Sequence, residues 1–433
     1  MNRELYNSLL SWKKSKNRKP LLLQGARQVG KTYLINQFGK NEYQNFISLN
    51  FEENPGLTTL FEKELSPKVI IENIGLYLGH KISSDNTLLF FDEIQAAPKV
   101  LTSLKYFYEQ AEEFHIIAAG SLLGVSVGKQ TPFPVGKVNF LRLYPLTFLE
   151  YLNAFDEGLI ADKLINITSI EQFPDAIHDK LLKHLKIYMF LGGMPEVLQD
   201  YYKNRDISAS RQIQNDILEA YSKDFSKYSD KTQAIKTSEV WNSIPSQLAK
   251  ENKKFKYSDV KKRSRASTYQ QTIEWLKSAG LINIAYQISV PKLPLSGYMD
   301  ITKFKVYLLD TGLLGAMLNL APEIIIDPNN LFREYNGAFT ENFVATQLVS
   351  KSIENLYYWT SRSEAEVDFI IQKENEILPI EVKSGFGKNI KSLRSYADKY
   401  NPKRLYRLSP RNFDKSDNFI NVPLYAVNYL IPQ

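Results

Sequence analysis

The sequence contains no cysteine among its 433 residues. This absence excludes disulfide bonds, thiolate zinc sites, iron–sulfur clusters and thiol nucleophiles. A chain without thiols suits a reducing compartment such as the cytoplasm.

Long hydrophobic runs are also missing. The most apolar stretch, Ile116–Val127, is interrupted by Gly120, Ser121 and Gly124, and it is shorter than the roughly twenty residues that cross a bilayer. The N-terminal segment mixes charged with apolar side chains and lacks the continuous apolar stretch and cleavage site of a secretory signal. We therefore expect a cytoplasmic location and no membrane partner.

The composition is that of an ordinary globular protein. Apolar residues make up 43% of the chain and charged residues 23%, which excludes a disordered, collagenous or fibrous protein. Fifty-four Lys and Arg against forty-seven Asp and Glu give a net charge of +7, which is compatible with a polyanionic partner but does not require one. At roughly 150 residues per domain, the length predicts two to four domains.

Hydrophobic periodicity changes along the chain and predicts four domains. In residues 1–150, β-rich runs alternate with helical spacing, as in an α/β sheet. Residues 151–230 show helical periods alone and are interpreted as a lid. Residues 231–325 place three helical patterns before two strand-like ones, as in a winged helix-turn-helix, and residues 326–433 return to α/β character. The predicted strands of the first domain are Leu21–Gln24, Phe46–Phe51, Leu88–Phe91, His115–Ala119 and Asn139–Leu143.

A phosphate-loop motif lies between the first predicted strand and the first predicted helix. Two glycines separated by four residues precede a lysine and a threonine. Backbone N–H groups can point at the β- and γ-phosphates there, while Lys31 adds a cation and Thr32 offers a hydroxyl to Mg²⁺. The alternative is a glycine-rich turn that binds nothing, and the flanking strand and helix disfavour it. The predicted nucleotide-binding residues are Gly25, Ala26, Arg27, Gln28, Val29, Gly30, Lys31, Thr32 and Tyr33.

An apolar strand that ends in two acids supplies a second element of phosphate chemistry. The strand would deliver Asp92 to the carboxyl edge of the sheet, where it can hold the water shell of Mg²⁺. Glu93 follows and can orient or deprotonate the attacking water, so the pair predicts hydrolysis as well as binding. A strand that merely ends in solvated acids is the alternative. Ser121, after the next strand, is interpreted either as a sensor of the γ-phosphate or as an ordinary helix cap.

These motifs carry a resemblance that covers essentially the whole chain. Together with Ala118–Leu123, Leu143–Glu150, Gly192–Pro195 and Lys303–Leu314, they resemble the prokaryotic AAA-plus ATPase family. In that family an ATPase head is fused to a winged helix and a C-terminal domain of unknown function. The resemblance implies a P-loop hydrolase that uses ATP and Mg²⁺.

Members of that family typically carry a Gly-Arg pair whose arginine is a candidate trans-acting finger. The matching pair in this chain is Gly136-Lys137. A lysine cannot make the bidentate fork with which an arginine stabilises a transferring phosphoryl group. Arg142 on the following strand is either a substitute or one half of a structural ion pair. Activation in trans, and the homo-oligomer that it implies, therefore stays open.

Three acids and a lysine form a second chemical pattern near the C-terminus. Glu341 lies on a predicted helix, Asp368 on a strand, and Glu381 and Lys383 on the next strand. A tight hairpin sets Asp368 directly opposite Glu381, with Lys383 on the same face. This order resembles the restriction-endonuclease-like fold and predicts carboxylates that hold Mg²⁺ beside an ammonium that positions water. The alternative is an alternating strand with a solvated face. The predicted turn is Glu374-Asn375.

A basic run, residues 261–265, precedes a predicted helix at Ala266–Ser278. The run lies where the phosphates of a bound DNA would be, and early polar residues of the helix could reach base edges or phosphates. Many winged helices contact protein instead, so DNA and protein both stay candidate partners. The polar residues of the helix are Ser267, Thr268, Gln270 and Gln271.

Three functions are consistent with these patterns. The leading one is an ATP-binding and ATP-hydrolysing AAA-plus protein that needs Mg²⁺ and binds or acts on DNA. The second adds a Mg²⁺-dependent DNA endonuclease in the last domain, gated by the ATPase. The third is a non-catalytic module, switched by an adenine nucleotide, whose nuclease-like domain is degenerate and serves only binding or stability.

Overall fold

The computed structural model describes residues 2–120, 134–167, 169–227, 230–250, 253–321, 336–351, 353, 355–361, 365–387 and 389–431. Two β-sheets with helices packed around them organise this part of the chain. Along the chain the elements are α1 (Leu5–Lys14), β1 (Leu21–Gln24), α2 (Lys31–Glu42), β2 (Asn45–Asn50), α3 (Pro67–Leu78), β3 (Thr87–Asp92), α4 (Pro98–Gln110), β4 (His115–Ala119), β5 (Asn139–Arg142), α5 (Phe148–Ala154), α6 (Gly158–Ile165), α7 (Asp175–Leu191), α8 (Pro195–Asn204), α9 (Ile207–Lys227), α10 (Lys231–Leu248), α11 (Tyr257–Val260), α12 (Ala266–Ser278), β6 (Ile282–Ile288), β7 (Met299–Leu308), α13 (Thr311–Met317), α14 (Asn336–Ser350), β8 (Leu356–Thr360), β9 (Glu366–Lys373), β10 (Glu376–Val382), α15 (Lys391–Tyr400), β11 (Leu405–Ser409), β12 (Asp414–Ser416) and β13 (Phe419–Pro423).

The first sheet is parallel and has the strand order β2-β3-β4-β1-β5. Helices α2, α3 and α4 connect its consecutive strands, as parallel pairing requires. The prediction of an α/β sheet is confirmed, and each predicted strand lies within one residue of an observed one. Because β1 lies between β4 and β5, the loop that follows it meets the carboxyl end of the sheet close to the ends of β3 and β4.

Both faces of this sheet are buried, which explains its continuous apolar runs. Alternate residues of each strand enter different cores: Leu21 and Phe90 belong to a core that includes residues of α1 and α2, whereas Leu22 and Phe91 belong to one that includes residues of α3 and α4. The first of these cores continues into the C-terminal half of the chain. The first sheet is therefore packed against the rest of the protein.

A helical region follows, in which the described residues from 148 to 227 form no strand. Its first helix, α5, is capped by Thr147, whose hydroxyl accepts from the N–H of Glu150 while the Glu150 carboxylate accepts from the N–H of Thr147. This capping box stabilises the start of α5 at the exit from the sheet. Helices α8 and α9 then return to the phosphate loop.

The predicted order of three helices and a hairpin is present in α10, α11, α12, β6 and β7. The hairpin does not form a sheet of its own, because β6 also pairs in parallel with β8. The result is an eight-stranded sheet of order β12-β13-β11-β10-β9-β8-β6-β7. The domain boundary predicted at residue 325 thus falls between strands of one sheet. Periodicity shows which face of a strand is buried, but not which strand lies at its edge.

Asp310 joins the three N-terminal regions through short hydrogen bonds. Its buried carboxylate accepts from the N–H of Gly193 at 2.6 Å and from that of Leu313 at 2.9 Å. The carbonyl of Gly193 in turn accepts from the N–H of Leu146 at 2.7 Å. The connection from β5 to α5, the turn between α7 and α8 and the segment after β7 therefore meet at one buried point.

Among the described residues, no helix is both long enough and apolar enough to span a membrane.

This buried turn predicts the effect of a small substitution. A Cβ added at Gly193 would lie 2.1 Å from the carbonyl oxygen of Leu146, so the turn must open. We expect Gly193→Ala to lower the free energy of unfolding by about 2–3 kcal/mol. Chemical denaturation followed by circular dichroism measures this change. Gly297→Ala is the control, since nothing lies within 4 Å of its added Cβ; equal losses in the two variants would contradict the prediction.

Candidate functional site

The phosphate loop connects β1 to α2, as the sequence predicts. Gly30, the last residue before the helix, has a left-handed backbone with φ of 94°, a conformation that glycine adopts without strain. Lys31 begins α2, and its side chain is buried. The Lys31 Nζ donates to the carbonyls of Ala26 at 2.9 Å and Gly25 at 3.1 Å. The ammonium therefore lies inside the loop that would hold the phosphates.

The charge of Lys31 is poorly compensated in this arrangement. Burial lowers the pKa of Lys31 to about 8, although the nearby acids Glu93 and Asp92 oppose the shift. Carbonyl oxygens solvate the ammonium but bring no negative charge to it. A phosphate group would supply that charge, so the site is electrostatically suited to an anion.

The predicted metal-holding residues meet at the ends of β3 and α2. The Thr32 hydroxyl donates to the Asp92 Oδ2 at 2.7 Å, and the Asp92 Oδ1 accepts from the N–H of Glu93 at 3.0 Å. Burial raises the pKa of Asp92, while the hydrogen bond from Thr32 opposes the shift. A hydroxyl and a carboxylate oxygen side by side are the hard oxygen donors that Mg²⁺ takes. The donor set thus fits Mg²⁺.

Glu93 occupies a left-handed backbone conformation with φ of 54°. Such a conformation in a residue other than glycine is uncommon and often marks a functional position. The Nε2 of Gln95 donates to the carboxylate of Glu93. Glu93 also lines a cavity beside the phosphate loop, as a residue that positions water must do.

This cavity of about 550 Å³ extends from the phosphate loop to the lid. Its volume lies within the range typical of small-ligand pockets. Its walls come from both regions, so a bound nucleotide would contact the sheet and the helices together. The lining residues are Arg3, Arg27, Gln28, Gly30, Lys31, Thr32, Tyr33, Glu52, Glu93, Leu146, Pro195, Glu196, Gln199, Ala220, Tyr221 and Asp224.

Two of these residues connect the phosphate loop to α9. The Arg27 Nη1 lies 2.7 Å from the Asp224 Oδ1, and the Tyr221 hydroxyl donates to the Arg27 carbonyl at 2.8 Å. Sequence analysis did not identify Asp224 or Tyr221. No local pattern marks either residue, because each reaches the loop from about 195 positions away in the chain.

The sequence analysis also did not identify Arg3 as a residue that holds the phosphate loop. Its Nη1 donates to the carbonyl of Val29 at 3.0 Å, its Nη2 to that of Tyr144 at 2.5 Å, and its Nε to the Glu150 carboxylate at 3.1 Å. The side chain is buried and clamps the N-terminal segment onto the phosphate loop. Glu150 lies in a segment singled out for its family resemblance, but nothing in the sequence pairs it with Arg3.

The remaining predicted residues of the ATPase domain are placed as follows. Tyr33 is 59% exposed at the edge of the cavity, and Arg142 is half-buried on β5. Lys137 Nζ lies 3.0 Å from the Glu109 Oε1 in an exposed ion pair. Ser121 lies outside the described residues.

The C-terminal hairpin forms in the predicted register. Its pairs run from Glu376 opposite Lys373 to Ile380 opposite Phe369, a register that sets Glu381 opposite Asp368. The N–H of Val382 donates to the Asp368 Oδ2 at 2.8 Å. The register is therefore confirmed.

The predicted acids of the C-terminal domain are engaged by cations of the chain. Glu381 pairs with Lys383 at 2.7 Å, and Glu341 binds both Lys253 and Lys305. Within the described ranges, no three Asp, Glu or His side chains are arranged to hold one metal ion.

The basic run is largely exposed in the structure. Lys262, Arg263 and Arg265 are exposed, whereas Lys261 lies 3.2 Å from Glu239. In α12 the buried residues are Tyr269, Thr272, Ile273 and Leu276, and the polar residues Ser267, Thr268, Gln270 and Gln271 face solvent. The helix thus presents a polar face next to the basic run.

Comparison with known protein families divides the chain into three matched segments. Residues 17–152 match the family described as AAA domain. Residues 182–324 and 336–427 match two families described as domains of unknown function, DUF8612 and DUF4143. The segment that matches the AAA domain contains the phosphate loop, Asp92 and Glu93.

Curated relatives share only one segment with this chain. An uncharacterized protein of Mycobacterium tuberculosis and another of Mycobacterium bovis are each 31% identical over 123 residues, which cover 28% of this chain. The match spans only about a quarter of each relative's own length, 27%.

Solved structures resemble the chain at low identity. The Walker-type ATPase of Pyrococcus abyssi is 14% identical, with 73% of this chain and 95% of that chain covered and a TM-score of 0.45. The Orc1 protein of Aeropyrum pernix in complex with DNA is 12% identical, with coverages of 73% and 91% and a TM-score of 0.30. AMPPCP-bound DnaA from Aquifex aeolicus is 16% identical, with coverages of 63% and 86% and a TM-score of 0.23. Each of these TM-scores is below 0.5, so the function of this chain has to be inferred from its own geometry.

The lowered pKa of Lys31 predicts proton uptake when nucleotide binds. In the empty site Lys31 loses its proton as the pH rises through about 8, whereas bound phosphates hold the proton in place. We expect Lys31 to take up about half a proton or more when ADP binds at pH 8.5, and almost none when ADP binds at pH 6.5. The affinity for ADP should therefore fall as the pH rises. Calorimetry in buffers of different ionisation enthalpy measures the uptake.

Lys31→Arg is the control for this experiment, because a guanidinium stays protonated throughout this range. Its binding should show no uptake at pH 8.5. Equal uptake by the variant and the natural protein would contradict the role given to Lys31.

Proposed function

We propose that this chain, whose residues 17–152 match an AAA domain, binds ATP and hydrolyses it with the help of Mg²⁺. One observation carries the proposal: Lys31, Thr32, Asp92 and Glu93 come together at a cavity of about 550 Å³. A glycine-rich turn without a ligand would not need a buried lysine, a hydroxyl and two acids at one point.

Binding uses the loop and the start of α2. Backbone N–H groups of the loop face the phosphates, and the positive end of the helix dipole adds to their field. The Lys31 ammonium turns from the carbonyls of Gly25 and Ala26 toward the phosphate oxygens. Thr32 and Asp92 would hold the Mg²⁺, which when bound neutralises charge on the β- and γ-phosphates.

In hydrolysis, Glu93 acts as the general base for the attacking water. The carboxylate accepts a proton from the water as the water oxygen bonds to the γ-phosphorus. The bond from that phosphorus to the β–γ bridging oxygen breaks, and ADP leaves with the electron pair. Gln95 donates to Glu93 and holds its carboxylate in place before the reaction.

The lid supplies the route from nucleotide to the rest of the chain. Pro195 and Gln199 of α8 line the cavity, and Asp224 of α9 pairs with Arg27 of the loop. Through Gly193 the same region is hydrogen-bonded to Asp310, next to the hairpin β6–β7. A change of nucleotide would therefore move the lid against the winged-helix region.

Two substitutions in the site separate binding from hydrolysis. Lys31→Ala should abolish both, since it removes the phosphate-binding cation. Glu93→Gln should keep ATP affinity within about threefold but lower turnover by about a hundredfold or more, because an amide cannot accept the proton. Phosphate release and equilibrium binding of a fluorescent ATP analogue measure the two quantities.

Glu53→Gln is the matched control, since Glu53 is an exposed glutamate outside the cavity lining. Its turnover should equal that of the natural protein. Full turnover by Lys31→Ala would exclude this site, and tightly held ADP with turnover no faster than background would favour a nucleotide-switched module without catalysis.

A DNA-binding role of residues 231–325 completes the proposal. Exposed Lys262, Arg263 and Arg265 lie beside the polar face of α12, an arrangement suited to backbone phosphates and base edges. The eight-stranded sheet fixes the hairpin β6–β7 and therefore orients this face relative to the ATPase. An endonuclease is not proposed, because lysines of the chain itself engage the acids of the C-terminal domain.

Salt dependence tests the DNA interface. Replacing Lys262, Arg263 and Arg265 together by alanine should weaken binding of duplex DNA and reduce the slope of log affinity against log salt by about 0.9 for each phosphate that is no longer neutralised. Fluorescence anisotropy at several salt concentrations measures both effects. The control replaces three exposed lysines of the ATPase domain, Lys14, Lys16 and Lys40. An interface elsewhere is indicated if the two triple variants bind DNA equally well.

A further inference from the structure

Lys305 lies in the middle of the acids that predicted a metal site in the C-terminal domain. Its side chain is completely buried, on strand β7. The Lys305 Nζ is 2.5 Å from the Glu366 Oε1, 3.4 Å from the Glu341 Oε2 and 3.8 Å from the Asp368 Oδ1. One ammonium thus faces three carboxylates.

Most carboxylate oxygens of the predicted site already have partners. Glu341 binds Lys253 through Oε1, and its Oε2 accepts from the Tyr307 hydroxyl at 3.1 Å as well as from Lys305. Asp368 Oδ2 accepts from a backbone N–H at 2.8 Å, and Glu381 Oε1 is bound by Lys383. The buried Glu381 Oε2 lacks a hydrogen-bond partner among the described residues, and the Asp368 Oδ1 faces the Lys305 Nζ at 3.8 Å, which is an ion pair but too long for a hydrogen bond.

The positive charge of Lys305 is compensated by carboxylates of the protein itself. Burial alone would lower the pKa of Lys305, but the charges of Glu341, Glu366 and Asp368 raise it well above its usual value. Lys253 and Lys305 lower the pKa of Glu341 in spite of burial, whereas burial and the charge of Glu341 raise the pKa of Asp368. An ammonium buried among carboxylates is stable only because both kinds of charge are present.

The residues of this cluster do not fit Mg²⁺. That ion demands near-octahedral oxygen ligands at about 2.0–2.1 Å. To bind Glu341 and Asp368 together, it would have to enter beside Lys305, whose positive charge lies between them and repels it. Glu341 and Asp368 are therefore matched by a cation of the chain itself.

We propose that Lys305 is the resident cation of this acid cluster, and that the cluster fastens the winged-helix region to the C-terminal sheet instead of holding a catalytic metal. Both lysines that bind Glu341 come from residues 231–325, whereas Glu341, Glu366 and Asp368 come from residues 326–433. The ion pairs thus cross from β7 to β9, over β6 and β8. The C-terminal domain is a binding and scaffolding unit that does not cleave DNA.

Removing the ammonium tests this assignment by opening a metal site. Mn²⁺ is titrated into full-length protein without nucleotide, and bound ions are counted by electron paramagnetic resonance. The natural protein and the Asp368→Asn variant should bind equal amounts of Mn²⁺. Lys305→Met keeps the length of the side chain but loses its charge, so it should gain one Mn²⁺ per chain, bound about tenfold or more tighter than any ion at this cluster in the natural protein. The double variant Lys305→Met with Asp368→Asn should lose it again.

Lys303→Met is the matched control, because Lys303 lies two residues away on the same strand in an exposed pair with Asp300. It should gain no ion. The proposal is overturned if Lys305→Met folds and binds no additional Mn²⁺, or if Asp368→Asn loses an ion that the natural protein holds. The latter comparison needs no change at Lys305, so it decides the matter even where Lys305→Met does not fold. Since no nucleotide is present, neither result depends on the proposed ATPase.

Discussion

Burying an ammonium group is costly, and this protein does so at two places with opposite consequences. Lys31 is buried with carbonyl oxygens as its hydrogen-bond partners, so its pKa falls to about 8 although nearby acids oppose the shift, and an anion would compensate its charge. Lys305 is surrounded by carboxylates, so its charge is already matched. The same side chain thus prepares a binding site in one domain and completes a structural cluster in the other.

The connection between these places runs through continuous structure. The phosphate loop is held by Arg3 from the N-terminal segment and by Asp224 from the lid. The lid is hydrogen-bonded to Asp310, which follows β7, and β7 carries Lys305 into the C-terminal sheet. The phosphate loop, helices α8 and α9, the hairpin β6–β7 and the C-terminal sheet are therefore linked by one continuous series of contacts.

Local patterns predicted the parts of this structure that depend on neighbouring residues. The phosphate loop, the strand that ends at Asp92 and the register of the β9–β10 hairpin follow from short-range geometry, and each is present. The partners of Arg27 could not be predicted, since Asp224 and Tyr221 approach the loop from a distant helix. For the same reason, the sequence pattern predicted a metal site formed by Glu341, Asp368 and Glu381. It did not reveal that Lys305 lies between Glu341 and Asp368.

The sequence alone determined the chemistry available at each position: a phosphate loop, two acids after a buried strand, and a row of acids with a lysine in the last domain. Tertiary structure decided which charges meet. Strand pairing beyond the hairpin attached β6 to β8 and so brought Lys305 to the acids of β9, and chain folding placed α9 on the phosphate loop. Periodicity records the environment of a residue, buried or exposed. It does not record the partner, because Coulomb forces and hydrogen bonds depend on distances in space that the folded chain alone sets.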